Sequence, residues 1–184
     1  MTDTVHPDAA GPAAVLIGPP AAGKTRIGKR VARALDAEFL DTDRMIVERH
    51  GPIPDIFANE GEATFRAYER DAVADALAID GAVVALGGGA VMTPETAKRL
   101  TGMPVVLLTL SAEAVAARLE KSASTRPLVA GGLAQWEALV ERRMPTYERL
   151  ARASWDTSTF PADRIALDIA DWVRAGAPER KDAS

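Results

Sequence analysis

The chain has 184 residues, 47% hydrophobic and 26% charged, with 14 Gly, 12 Pro and no Cys. These proportions suit one domain with its own core, and exclude a collagenous, disulfide-framed or wholly disordered chain, as well as thiolate nucleophiles and Cys-ligated zinc. The 22 Lys+Arg against 26 Asp+Glu leave a net charge of -4, so a general polyanion surface is excluded and any anion must be held by a few local cations and backbone amides.

In chain order, the opening residues lack the basic n-region and apolar h-region of a signal peptide, and no apolar run nears the ~20 residues of a membrane helix. A cytoplasmic enzyme is expected. Residues 1–12 and 176–184 read as disordered tails around a single domain over 13–175. Ala13–Ile17 is a buried-strand run closed by Gly18 and two prolines. From Lys24 the spacing becomes helical, with Ile27, Val31 and Leu35 on one face. Glu38–Leu40 predicts a second strand, residues 62–79 a helix, Ala82–Leu86 a strand, 94–101 a short helix and Pro104–Leu110 a strong strand. A helix over 111–120, another over 133–144 ending before Pro145, a weak strand at Ala153–Asp156 and a last helix with Ile165, Ile169, Trp172 and Val173 on one side complete the pattern. Strands alternating with helices predict an α/β fold with a parallel sheet covered on both faces, whose ligands bind beyond the carboxyl ends of the strands.

The chemistry gathers at those ends. Gly18-Pro19-Pro20-Ala21-Ala22-Gly23-Lys24-Thr25 matches the phosphate-loop pattern G-x-x-x-x-G-K-[ST] between a strand and a helix. Its amides converge on phosphate oxygens with the helix dipole behind them, Lys24 adds a charge, and the Thr25 hydroxyl is placed to ligate Mg²⁺. Ala21 stands where many such loops carry glycine. No acid ends the strand at 104–110, but Asp41 ends the strand at 38–40 and Asp43 follows. Asp41 is therefore assigned to the magnesium shell, and Asp43 to the acceptor as general base. Taken alone, the same pair reads as the cap of a helix beginning near Thr42.

Gly87-Gly88-Gly89 follows a buried strand and permits close backbone approach, with N–H groups turned to an acceptor oxygen. Arg66, with Glu69 one turn later to orient it, and Arg142-Arg143 before Pro145 suit a grip on a substrate carboxylate. The polar, glycine-rich stretch at about 122–132 is read as a mobile lid, with Arg126 reaching the phosphates.

Taken in series, GPPAAGKT, LDTD at 40–43, DIFANEGEATFR at 55–66, LGGGAV at 86–91, RPLVAG at 126–131 and RRMPTY at 142–147 resemble the shikimate kinase family. The resemblance implies a three-layer, nucleoside-monophosphate-kinase-like fold and transfer of the ATP γ-phosphate to the 3-hydroxyl of shikimate, a step towards chorismate and the aromatic amino acids. It implies that Asp43, Arg66, Gly88 and Arg143 bind shikimate, the arginines taking its carboxylate. It further implies that Lys24, Thr25 and Arg126 serve ATP and magnesium, that Arg118 stacks on adenine, and that the enzyme is a monomer. Ala21 and Arg26 depart from the family's usual loop, and both are expected to bind the cofactor with Gly18, Pro20, Ala22, Gly23, Lys24 and Thr25. Three rivals rank lower: a gluconate kinase-like enzyme, which lacks the GE..FR and GGGA elements as placed here; a nucleoside monophosphate kinase, whose anionic acceptor would meet Asp43; and a catalytically silent nucleotide-binding module, which has no need of the base.

Overall fold

The computed structural model describes residues 11–121 and 132–180. The apolar run Ala14–Ile17 forms strand β1, every residue of which is buried, as a central parallel strand requires. β2 (Phe39–Asp41), β3 (Val83–Ala85), β4 (Val105–Thr109) and β5 (Ala153–Asp156) join it in one sheet of order β2-β3-β1-β4-β5, with every pair parallel. The period of two sends alternate side chains to opposite faces. Leu16, Val83, Ala85, Val106 and Leu108 enter one core cluster, while Val15, Ile17, Val84, Val105 and Leu107 enter the other.

Helix α1 (Lys24–Leu35) lays Ile27 and Val31 on the first face beside α8 (Ala162–Arg174), which contributes Ile165, Ile169 and Trp172. Gly28 lets α1 sit low, because a Cβ there would lie 2.4 Å from Phe39 Cε2 and 2.8 Å from Leu16 Cδ1. α6 (Ala112–Lys121) covers the same face through Val115. On the opposite face lie α4 (Gly61–Leu77), a 3-10 turn at Ala90–Met92 and α5 (Pro94–Arg99), through Val73, Leu77, Val91 and Leu100. α2 (Thr42–His50) and α3 (Ile53–Asn59) pack on α4 around Ile46, Ile56, Phe65 and Ala72. α7 (Gly132–Leu150) contributes Trp136 to the first cluster and Tyr147 to the second, so it bridges the two layers.

Several expectations are corrected. α7 does not end before Pro145 but runs through it to Leu150. An internal proline removes one hydrogen bond and costs ~3 kcal/mol or more. Fully buried Tyr147, whose hydroxyl donates to the Gly88 carbonyl at 2.6 Å, holds the last turns in place against that cost. α3 was not anticipated, and α2 only as the capped alternative to a functional Asp41. The described parts of the expected tails are attached: Gly11 exchanges hydrogen bonds with Asp80 and Gly81, and past Gly176 the Trp172 indole N–H donates to Pro178 O at 2.8 Å while Arg180 N donates to Arg152 O at 2.9 Å. A buried indole N–H needs an acceptor, and the chain after α8 folds back to supply it. The expected lid lies outside the described residues except for Gly132, the first residue of α7. Among the described residues no helix is long and apolar enough to cross a membrane.

Candidate active site

The loop joining β1 to α1 owes its shape to three residues of positive φ. Gly18 (φ +141) passes so close to β4 that a Cβ would meet Leu108 O, Gly23 adopts φ +87, and Ala21 adopts φ +68 although it is not glycine. Ala22, between them, is fully buried. No side chain caps α1 and its first turn holds no acid. Its leading N–H groups and the positive end of its dipole thus remain for an anion. Lys24, at the first helical position, donates to Gly18 O at 2.7 Å and Pro19 O at 3.0 Å, curling back over the loop. Desolvation lowers its pKa to about 8, against the attraction of Asp43 and Asp41 and together with repulsion from Arg143.

Thr25 donates to Asp41 Oδ2 at 2.6 Å, although 16 residues separate them. Asp41 Oδ1 accepts from the N–H groups of Asp43 and Arg44 at 3.1 and 3.3 Å, capping α2. The cap and the metal assignment are therefore compatible, since each uses a different carboxylate oxygen. A hydroxyl beside a carboxylate is a hard oxygen pair that suits magnesium. Among the described residues no group of three or more His, Asp or Glu could hold a metal alone.

The glycine turn after β3 closes against Asp43. A Cβ on Gly87 would lie 2.4 Å from Asp43 Oδ1, so only glycine admits the carboxylate there. Thr42, fully buried, accepts the Gly87 N–H at 3.0 Å and ties the start of α2 to the turn. Burial raises the Asp43 carboxyl to about 6, with Asp41 and Glu69 adding to the rise and Lys24 and Arg66 opposing it. A carboxylate poised near neutrality is the tuning expected of a general base.

Arg66 projects from α4 to the same turn: a Cβ on Gly89 would lie 2.9 Å from its Nη1. It donates to buried Glu69 at 2.7 Å and to Glu62 at 3.4 Å. Burial works against its charge, but these acids outweigh it and raise its pKa. Arg143 comes from α7, its Nη1 3.6 Å from the Cβ position of Gly88, which Pro20 Cδ approaches equally. The phosphate loop, the glycine turn, Asp43, Arg66 and Arg143 thus line one crevice at the carboxyl ends of β1, β2 and β3.

Arg26 is exposed on the first turn of α1, Arg142 is exposed on α7, and Arg126 lies outside the described residues. Arg118 holds backbone, donating to Ala21 O at 2.6 Å and to Thr157 O at 2.5 Å. Such bonds use the edge of the guanidinium and stacking uses its face, so an adenine role remains compatible. Thr42, Trp136 and Tyr147 were missed as site residues. Thr42 and Tyr147 left traces, inside LDTD and RRMPTY, while Trp136 left none and its partner lies 116 residues away.

Comparison with known proteins agrees with this geometry. The family model described as shikimate kinase matches residues 20–174. A shikimate kinase of Thermobifida fusca is 43% identical over 161 residues, covering 86% of this chain and 93% of that protein. A shikimate kinase of Acinetobacter baumannii, solved in complex with shikimate, superposes with a TM-score of 0.80 at 30% identity, covering 92% of this chain and 96% of that one. A gluconokinase of Sinorhizobium meliloti, at 18% identity, a TM-score of 0.58 and coverage of 89% and 92%, shares the fold alone. A matching family model over most of the chain, together with relatives of this identity and coverage, shows that the chain belongs to the shikimate kinase family.

Proposed function

We propose that this protein transfers the γ-phosphoryl group of ATP to the 3-hydroxyl of shikimate. The observation that carries the reading is that Asp43 lies against Gly87 of the glycine turn and interacts electrostatically with both Lys24 of the phosphate loop and Arg66. Asp43 accepts the hydroxyl proton as the oxygen attacks phosphorus. Lys24 and the loop amides then stabilise the charge on the transferred group. Arg66 and Arg143 take the acid's carboxylate, Arg66 held in place by Glu69. Gly87, Gly88 and Gly89 let the acid approach the backbone. Thr25 and Asp41 would hold Mg²⁺, which would supply positive charge to offset that of the phosphates. Arg118 is assigned to adenine and Arg126 to the phosphates on the resemblance. A monomer in the cytoplasm, acting on small molecules and on neither nucleic acid nor membrane, belongs to the same reading.

The test is ADP release with ATP and Mg²⁺ against shikimate, gluconate, AMP and no acceptor. Turnover with shikimate alone is expected. Turnover with gluconate would move the assignment to another hydroxy acid, and equal background in every tube would support the silent module.

A further inference from the structure

The phosphate loop contains an alanine, Ala21, at φ +68, a region that disfavours a non-glycine residue roughly tenfold. Both peptide planes flanking that residue are gripped from outside the loop. The carbonyl before it, Pro20 O, accepts the indole N–H of Trp136 at 3.0 Å. The carbonyl after it, Ala21 O, accepts Arg118 Nη1 at 2.6 Å. Relaxing Ala21 to negative φ would rotate one or both planes and break these bonds. Because C=O and N–H point oppositely across a trans peptide, fixing Pro20 O on Trp136 also aims the Ala21 N–H away from Trp136. Trp136 is itself immobilised: it is 4% exposed and packs in the same core cluster as Ala22, Ile27 and Leu108.

We propose that Trp136 is a positioning residue for the phosphate loop. With Arg118 it clamps the peptide planes around Ala21, so that an alanine holds the left-handed geometry that nucleotide binding uses. This rests on the reading of residues 18–25 as an ATP phosphate site. It assigns a role to the indole N–H that is separate from the packing of the ring.

The experiment compares the full chain with Trp136→Phe, Ala21→Gly and the double variant. ADP affinity is measured by calorimetry below the lowest melting midpoint, and KM for ATP and for shikimate by coupled assay. Trp136→Phe keeps a ring and removes the donor, so ADP affinity is expected to fall and KM for ATP to rise about five- to tenfold, with KM for shikimate within twofold of the parent. Ala21→Gly serves only as the reference background, and the effect of Trp136→Phe in it is read as a ratio to Ala21→Gly itself. In that background Trp136→Phe should cost less than twofold, because glycine adopts φ +68 without the clamp. A packing role would lower Tm equally in both backgrounds and leave this split unmoved. Unchanged ADP affinity in Trp136→Phe, or an equal loss with alanine and with glycine at 21, would overturn the clamp alone. A parent chain that bound no ADP would overturn the phosphate-site reading and the clamp with it.

Discussion

Replacing Asp43 by asparagine tests the catalytic assignment through two readouts that should move in opposite directions. The carboxyl is raised from an ordinary 3.8 to about 6, chiefly by burial. In that window the folded protein binds more protons than the unfolded chain, so stability falls as pH rises through it and stays low above it. At 1.36 kcal/mol for each tenfold change in proton affinity, ionised Asp43 costs the fold about 3 kcal/mol at neutral pH. Asparagine has the same shape without the charge. Asp43→Asn should therefore raise Tm at pH 7.5 by several degrees, given roughly 2–4 °C per kcal/mol for a chain of this size. The gain should vanish near pH 4, where Asp43 is protonated in the folded state. The same variant loses the base, so kcat should fall about 10²–10⁴-fold while ADP affinity stays close to that of the parent. Thermal melts across pH 4–8, steady-state kinetics and ADP calorimetry give all three. A variant that is less stable at pH 7.5, or one that keeps its kcat, would refute the reasoning.

The pH profile of kcat/KM for ATP should rise through about 6 as Asp43 loses its proton and fall above about 8 as Lys24 loses its charge; a flat profile between pH 5 and 9 would remove both groups from the free enzyme's chemistry. Gly87→Ala places a methyl 2.4 Å from Asp43 Oδ1, whereas Gly88→Ala meets nothing nearer than 3.6 Å; the first should lose kcat and the limb at pH 6, the second should keep the limb and raise KM for the acid. Arg66→Ala should raise KM for shikimate at least tenfold with little change in KM for ATP, and Glu69→Gln should do the same more weakly by loosening the guanidinium. Asp41→Asn should raise the Mg²⁺ concentration needed for half-maximal rate, measured at fixed ATP, because one carboxylate oxygen becomes an amide nitrogen that cannot ligate the ion.

Much of this protein was legible in residue order because its signals are local. The run Ala14–Ile17 beside G-x-x-x-x-G-K-T specifies a buried strand, a tight turn and a helix start within a dozen residues, and all three appear where expected. Arg66 and Glu69 share a helix face by spacing alone, and they pair at 2.7 Å. Local rules failed where packing overrode them. Pro145 forbids a helix only until Tyr147 finds Gly88, and α3 escaped notice because among its seven residues Ile56 alone is buried, leaving no period to read. The strand order, the closure of Gly87 on Asp43, the Thr25–Asp41 pair and the grip of Trp136 on Pro20 belong to the tertiary structure. Backbone propensity is written in neighbouring residues, whereas a side chain's partner 16 to 116 positions away is chosen only when the sheet and its covering helices bring the two together.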